Sequence, residues 1–208
     1  MKNIDIKTWE RKEYFNFFSE YDDPFHGLVS EIECTRAYQK VKTKNKSFFS
    51  YYLHKAILAI NKIEALKYRI VDDEVVLFDK IHAAATIGRK DGTFSFSFTE
   101  FDKDYTTFDT TLKEVIKQVQ NTKGMGITAS AYRTDVIHFS SIPWSKFTSL
   151  THARDFKRVD TVPKITFGKM FLREGRQFLP IAINVHHGFA DGIHIAQFLE
   201  LYQQLINE

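Results

Sequence analysis

Residues 177–206 read QFLPIAINVHHGFADGIHIAQFLELYQQLI. The apolar run over 177–185 predicts a buried strand, and the apolar spacing over 192–206 predicts an amphipathic helix. The seven residues HHGFADG at 186–192 form the corner between them. An imidazole at such a corner can reach into a cleft and exchange a proton at neutral pH, because its pKa lies near ambient. We therefore interpret this corner as a general-base site.

Two adjacent histidines stand at the corner. Because neighbouring side chains of a strand point to opposite faces, only one of His186 and His187 can enter a given cleft. We assign the base to His187, which lies at the turn and is followed four residues later by Asp191. His186 is then a spacer or a buried hydrogen-bonding residue. No further Cys, His or carboxylate stands at ligand spacing, so we predict no metal site. His194 is expected to point elsewhere.

The rest of the chain mixes helices and strands. Apolar periodicity predicts helices over 11–18, 37–43, 47–63 and 107–119. Runs of β-forming residues predict strands over 28–34, 67–71, 75–78, 83–87, 93–98, 135–141 and 164–172, the last joined to 177–185 as a long hairpin. Because these elements do not alternate strictly, the sequence predicts an α+β fold with a mixed, mainly antiparallel sheet.

Composition indicates an ordinary globular protein. The 208 residues are 43% hydrophobic and 26% charged, and no linker, repeat or low-complexity tract divides them. We therefore predict one domain over residues 1–208, long enough to bury a sizeable core. The 20 Phe and 9 Tyr residues are many for this length. Most of them are expected to fill the core, and some to line an apolar ligand pocket.

Charge and targeting signals exclude several classes of protein. The net charge is +3, with basic residues scattered among acidic ones, so no face suited to nucleic acid is indicated. A single cysteine, Cys34, rules out a framework of intramolecular disulfides. The first residues lack the apolar stretch of a signal peptide, and no run of about 18 apolar residues occurs. We therefore expect a cytoplasmic protein without a membrane partner.

Four blocks of the sequence resemble the chloramphenicol acetyltransferase family. HHGFADG at 186–192 is similar to the HHxxxDG signature of that family. FSSIPWSKFTS at 139–149 resembles its S-x-x-P-W-x-x-F-x-S segment, and WERKEYF at 9–15 resembles its W-x-R-K/R-E-x-F segment. VPKITFGK at 162–169 resembles its AP-x-x-T-x-x-K segment. The blocks occur in family order and span nearly the whole chain.

The resemblance implies a role for each matching residue. His187 would take the proton of an acceptor hydroxyl, which then attacks the thioester of acetyl-CoA directly, without an acyl-enzyme. Ser140 would donate a hydrogen bond to the oxyanion, and Thr166 would order a water against the same intermediate. Asp191 would pair with Arg11 and support the turn. Its spacing from His187 alone would also allow Asp191 to be the carboxylate of a catalytic triad. Taken singly, Ser140 and Thr166 are equally compatible with ordinary strand residues, and Arg11 with a surface charge.

The resemblance also implies a two-layer α/β sandwich that assembles as a homotrimer. The histidine of one chain would then face a pocket of its neighbour, and the acceptor would be chloramphenicol. Phe17, Phe18 and Phe25 would form the aromatic wall of this substrate-binding pocket. On the coenzyme side, acetyl-CoA as co-substrate would contact Lys169 and Phe49.

Segment 150–156 departs from the family pattern. It holds His152 and Arg154, where the family usually places aliphatic residues. We predict that His152 is a substrate-binding residue. A charged arginine inside an apolar pocket would be costly unless it is paired or turned outward. The same chemistry on a different hydroxylated acceptor is therefore an alternative.

Three other classes of protein share parts of these motifs. Dihydrolipoyl acyltransferase domains have a related ending, but they follow a lipoyl domain and a Pro/Ala-rich linker, which this sequence does not show. Peptide-condensation domains share HHxxxDG but are about twice as long, as two lobes require. A non-catalytic binder of an aromatic small molecule would not need His187, Ser140 and Thr166 together. Turnover of acetyl-CoA separates such a binder from the enzymes.

Overall fold

A mixed β-sheet organises the chain, and the computed structural model describes residues 1–208. The five α-helices are α1 (Lys12–Ser19), α2 (Thr35–Thr43), α3 (Phe48–Ile60), α4 (Tyr105–Gln120) and α5 (Gly192–Ile206). The ten strands are β1 (Lys2–Asn3), β2 (Phe25–Glu33), β3 (Tyr68–Val71), β4 (Glu74–Leu77), β5 (His82–Gly88), β6 (Phe94–Thr99), β7 (Val136–Ser141), β8 (Lys164–Phe167), β9 (Phe171–Arg173) and β10 (Arg176–His186). Every predicted helix and strand is present, and only the short β1 was not predicted.

The large sheet has seven strands of mixed direction. Its order is β2-β10-β8-β7-β5-β6, with β9 also paired to β10. Strand β7 runs parallel to β5 and to β8, and the other pairs are antiparallel. A second sheet of three strands has the order β1-β4-β3. The predicted α+β fold with a mixed, mainly antiparallel sheet is therefore confirmed.

The two faces of the large sheet have different surroundings. Ile165 and Ile183, on β8 and β10, are fully buried in the main core together with residues of α3, α4 and α5. Because side chains alternate along a strand, Ser140, Lys164 and Thr166 lie on the opposite face. Helices thus cover one face as in a two-layer sandwich, and the other face carries polar residues.

Helices α3 and α5 pack against each other at the centre of the helical layer. Helix α3 begins after Ser47, whose hydroxyl caps it by accepting a hydrogen bond from the backbone N–H of Ser50. Helix α5 buries one stripe of residues, Ile195, Phe198, Tyr202, Leu205 and Ile206. This packing fixes the start of α5, and with it the corner after β10. None of the helices has the length and apolarity needed to cross a membrane.

The strand predicted over 164–172 is interrupted, so that prediction is wrong at residues 168–170, which separate β8 from β9. The backbone N–H of Gly168 donates to the carbonyl of Pro180 on β10 at 2.8 Å. Pro180 has no N–H with which to return the bond, so the ladder cannot continue there. Pairing with β10 resumes only at β9.

Strand β2 begins at Phe25, earlier than the predicted residue 28. Its first residues continue the ladder with β10, where Phe25 lies opposite His186 and Gly27 lies opposite Asn184. A side chain at position 27 would obstruct this pairing, because a Cβ atom there would lie 2.1 Å from the carbonyl oxygen of Ile183. The start of β2 is thereby brought beside the histidine corner.

We expect Gly27→Ala to destabilise the protein by about 1–3 kcal/mol, the usual cost of overpacking. The added methyl group would overlap the Ile183 carbonyl, so β2 would have to move away from β10. Gly88→Ala is the matched control, because nothing lies within 4 Å of its Cβ position at the end of β5. Urea denaturation measures both free energies of unfolding, and equal values would contradict the close approach at Gly27.

Candidate active site

His187 directly follows β10, and two rings hold its own ring in place. Its backbone N–H donates to the carbonyl of Pro24 at 2.8 Å. The ring of Phe18 stacks on it with centroids 3.9 Å and planes 4° apart, and the ring of His26 does so at 3.9 Å and 27°. Two rings cannot share one face at that distance, so they enclose the imidazole. Its Nδ1 atom is buried without a hydrogen-bond partner, so stacking rather than hydrogen bonding of Nδ1 orients the ring.

His26 is a neutral neighbour of His187. Its Nε2 donates to the carbonyl of Ala190 at 2.9 Å. Burial lowers the pKa of His26, the bond to Ala190 opposes this, and the charge of a protonated His187 lowers the pKa further. His26 therefore stays uncharged, and a proton taken up by His187 does not meet a second full charge on the stacked ring.

Arg11 donates hydrogen bonds to three groups of the turn after β10. Its Nε donates to the carbonyl of Gly188 at 3.2 Å, its Nη2 donates to the carbonyl of His187 at 3.3 Å, and its Nη1 donates to Asp191 Oδ2 at 3.2 Å. Burial alone would raise the pKa of Asp191, but the hydrogen bond from Arg11 and the charges of His194 and Arg11 hold it below its ordinary value. The arginine thus fixes the backbone that carries the imidazole.

His194 does not point away from the site, so that expectation is wrong. Asp191 is the N-cap residue of α5, and Nδ1 of His194 lies 2.7 Å from Asp191 Oδ1. Residue N3 of a helix characteristically reaches back to the cap, and His194 occupies that position. An Asp followed three residues later by a polar side chain at a helix start was the signal that could have revealed this contact.

His186 is a buried hydrogen-bonding residue. Its Nδ1 accepts a hydrogen bond from the backbone N–H of Gly188 at 3.1 Å, and the rings of Phe15 and Phe189 pack against it. Burial, with the charge of Arg154, lowers the pKa of His186 to about 4. It therefore remains neutral and supports the turn. Of the two roles expected for this histidine, spacer or buried hydrogen-bonding residue, it has the second.

Ser140 and Thr166 stand side by side on the polar face of the sheet. Ser140 on β7 lies directly opposite Thr166 on the parallel strand β8. Thr166 is almost fully buried, and its hydroxyl has no hydrogen-bond partner. Two neighbouring hydroxyl groups of this kind can donate to an oxyanion or hold a water molecule.

A cavity of about 730 Å³ lies on the polar face beside Ser140. This volume is in the range that holds a drug-sized molecule. His138, Ser140, His152 and Lys164 contribute polar groups to the lining. Its apolar part includes Ala84, Phe94, Phe96, Ile127 and Tyr132. The cavity can therefore accept a small molecule with both polar and apolar parts.

The chain contains no cluster of three or more His, Cys, Asp or Glu side chains that could hold a metal ion.

Only one of the four predicted substrate-binding residues, His152, lines this cavity. Phe18 stacks on His187. Phe17 contacts the ring of Phe18 and is 58% exposed. Phe25 packs against His186 and lies beneath the guanidinium of Arg154. The three phenylalanines thus surround the histidine corner of their own chain rather than this cavity.

Arg154 does not line the cavity, and its charge is compensated. It pairs with Asp23 at 3.2 Å and lies 4.0 Å from Asp160, with its guanidinium 3.6 Å from the centroid of Phe25. This partly buried arginine is therefore paired, as its cost in an apolar setting requires.

The two residues predicted on the coenzyme side lie on different elements. Lys169 follows β8 with an exposed side chain, and its backbone N–H donates to the carbonyl of Ser145 at 2.8 Å. Phe49 lies in the first turn of α3, half-buried, with its ring edge against Tyr52. An exposed ammonium and an apolar ring suit a phosphate and a pantetheine arm respectively.

Within one chain, the histidine corner and the Ser140 cavity are far apart. Thr166 lies opposite Ala182 on β10, and Ser140 is one strand further away. His187 comes about 16 Å further along the strand direction than Ala182, at about 3.3 Å per residue. Ser140 is also about 10 Å across the sheet from β10. The predicted base and the predicted oxyanion donor therefore do not meet within one chain.

Known proteins resemble this chain over nearly its full length. The family model described as chloramphenicol acetyltransferase matches residues 1–203. A chloramphenicol acetyltransferase of Clostridium butyricum is 30% identical over 97% of this chain and 93% of the relative. Chloramphenicol acetyltransferase 3 of Escherichia coli is 26% identical over 98% of this chain and 96% of the relative.

Solved structures agree with the sequence comparison. A chloramphenicol acetyltransferase structure superposes with a TM-score of 0.92 at 33% identity, covering 99% of each chain. A probable dihydrolipoamide acetyltransferase from Listeria monocytogenes has a TM-score of 0.69 at 11% identity, covering 99% of this chain and 94% of its own, and shares the fold alone. From the matched family model and these relatives, the chain belongs to the chloramphenicol acetyltransferase family.

Proposed function

We propose that this protein transfers an acetyl group from acetyl-CoA to a hydroxyl group of chloramphenicol, and so confers resistance to the antibiotic. The observation that carries the proposal is the His187 imidazole, which is enclosed by two rings and braced by Arg11 in a chain of this family. A ring held in this way has a defined direction and is ready to accept a proton, as general-base catalysis requires.

The proposed reaction is a direct transfer. His187 removes the proton of the acceptor hydroxyl while its oxygen attacks the thioester carbonyl carbon. Ser140 donates a hydrogen bond to the oxyanion of the tetrahedral intermediate, and Thr166 holds a water molecule against it. The C–S bond then breaks, and His187 returns its proton to the departing thiolate. Asp191 and Arg11 touch no reacting atom and act by holding the turn. Lys169 and Phe49 would contact the coenzyme.

We further propose a cytoplasmic homotrimer in which residues 1–208 form one acetyltransferase domain and each active site lies between two chains. The separation of His187 from Ser140 supports this assembly, because a second copy can supply the missing half. Exposed aromatic residues also support it: Phe17 is 58% exposed and Trp144 is 80% exposed. Apolar surface of this kind is a liability on a monomer and useful at a subunit interface.

Release of free thiol from acetyl-CoA tests the proposal. The purified protein should release CoA only when chloramphenicol is present, and mass spectrometry should find one acetyl group added to the antibiotic. Acetyl-CoA without an acceptor is the control for hydrolysis. Thiol release with other alcohols but not with chloramphenicol would retain the chemistry and reject this acceptor. No release with any alcohol would favour a non-catalytic binder.

Acetyl transfer to a different hydroxylated acceptor is the second candidate function. The cavity lining favours it, because His152 lines the cavity in a segment where the resemblance led us to expect an aliphatic residue. The lipoamide-type acyltransferases share only the fold with this chain, and no residue of the site favours their substrate.

We expect Asp191→Asn to lower kcat for acetyl transfer with little change in KM. Asparagine is still a good N-cap for α5, so the variant mainly removes the charge that pairs with Arg11. Because the amide oxygen of asparagine accepts a weaker hydrogen bond from Arg11 than a carboxylate does, the variant should also cost about 1 kcal/mol of stability. Steady-state kinetics and urea denaturation measure the two effects. Glu100→Gln, which removes an exposed ion pair with Lys80, is the control and should change neither quantity.

A further inference from the structure

The floor of the cavity beside Ser140 is a row of polar side chains on neighbouring strands. His138 lies two residues before Ser140 on β7 and shares its face of the sheet. It lies directly opposite Lys164 on β8, and Lys164 lies opposite Asn184 on β10. The place where an acceptor would meet Ser140 is therefore lined by a histidine and a lysine.

Every cation that lines the cavity already has a carboxylate partner. Lys164 Nζ lies 2.5 Å from Asp160 Oδ2 and also donates to the carbonyl of Val162 at 3.1 Å. Arg158 Nε lies 3.4 Å from Asp155 Oδ2. No cation of the lining is left to neutralise an anionic ligand, and burying an unpaired charge is costly. The charges around the cavity therefore favour a neutral acceptor.

The two histidines of the cavity have no hydrogen-bond partners for their rings. The ring of His138 is half-buried, and burial together with the charge of Lys164 lowers its pKa to about 4. The Nε2 atom of His152 is buried without a hydrogen-bond partner, and burial lowers the pKa of this histidine as well. At neutral pH both side chains are uncharged imidazoles, each of which carries one donor and one acceptor.

The opposite side of the cavity is apolar. Phe94, Phe96 and Ile127 contribute to its lining together with Tyr132. Such residues suit an aromatic or aliphatic part of a ligand. A simple apolar alcohol would fill this side and leave the imidazoles unsatisfied, and an unsatisfied buried polar group costs binding affinity.

We propose that His138 and His152 are specificity-determining residues that hydrogen-bond a second polar group of the acceptor, in addition to the hydroxyl that His187 deprotonates. Chloramphenicol, the acceptor of the proposed function, carries such a second group in its secondary hydroxyl. This inference rests on the proposed function, since it concerns the acceptor of the same cavity. It assigns acceptor selectivity to two residues whose ring nitrogens the fold itself leaves unpaired.

Binding measured by calorimetry in the absence of acetyl-CoA tests the assignment. The probes are chloramphenicol, which carries a primary and a secondary hydroxyl, and the analogue that lacks the secondary hydroxyl. The wild-type protein should bind chloramphenicol about ten-fold more tightly than the analogue, the size expected when a buried donor loses its partner. His138→Phe combined with His152→Phe should reduce this ratio to about one, because neither imidazole then remains.

His138→Gln is the matched control, since an amide retains a donor and an acceptor. It should keep part of the affinity ratio that the double variant loses. Thermal unfolding of each variant shows whether the fold is kept. Equal affinity of the wild type for the two probes, an unchanged ratio in the double variant, or no binding of either probe would overturn the assignment. Selective binding without acetyl transfer would reject the proposed function alone, whereas acetyl transfer without selectivity would reject only this inference.

Discussion

Replacing His187 with alanine is expected to lower kcat for acetyl transfer by about 10²–10⁴-fold, the usual contribution of a general base. The acceptor hydroxyl would have to attack without losing its proton to an adjacent imidazole. The fold should survive, because the side chain of His187 is half-buried and its ring only stacks between Phe18 and His26. Thiol release at saturating acetyl-CoA and acceptor measures kcat, and circular dichroism confirms the fold.

His186→Asn is the matched control for this experiment. The Oδ1 atom of asparagine can take the place of His186 Nδ1, which accepts a hydrogen bond from the backbone N–H of Gly188. Because His186 is buried and has this structural partner, the variant should retain most of the wild-type kcat. A large loss in His186→Asn together with little loss in His187→Ala would contradict our assignment and transfer the role of base to His186.

Sequence patterns predicted the elements that local periodicity determines. Helix α5 has the predicted bounds, because a regular apolar stripe and the Asp191 cap define it. The interruption between β8 and β9 was missed, because it depends on the missing N–H of Pro180 on another strand. The early start of β2 was missed as well, since only pairing with β10 reveals that residues 25–27 are extended.

In the candidate site, too, local sequence patterns predicted some features, and contacts between distant parts of the chain determine the others. Motifs singled out Ser140, Thr166 and His187, but contacts between distant parts of the chain decide what surrounds them. Arg154 was a charge without a partner until folding brought Asp23 beside it. His138 belongs to none of the four matched blocks, and only the register between β7 and β8 places it in the cavity. Such contacts cannot be obtained from periodicity or spacing.

Mixing two inactive variants should restore activity if each site is built by two chains. Ser140→Ala alone should lower kcat by about 10²–10³-fold, as the loss of one oxyanion donor does. His187→Ala alone removes the base. In a trimer that contains both variants, one of the three interfaces joins an intact His187 to an intact Ser140. Doubly tagged mixed trimers should therefore recover about one third of the wild-type activity.

The recovery follows from distance rather than from an average of the two variants. Along and across the sheet, His187 and Ser140 of one chain are separated by about 16 Å and about 10 Å, too far for one substrate to touch both. If instead each chain held a complete site, every site in the mixed trimer would contain one defect, and activity would stay at the level of the single variants.

A chain that carries both substitutions provides the control for this prediction. Mixed with His187→Ala, it forms trimers without any intact base, so tagging and mixing by themselves should restore nothing. Recovery in this control would point to contaminating wild-type enzyme. Mixed trimers of the two single variants that remain inactive would reject the shared site, and would require a movement of the β10 corner to bring His187 to Ser140 within one chain.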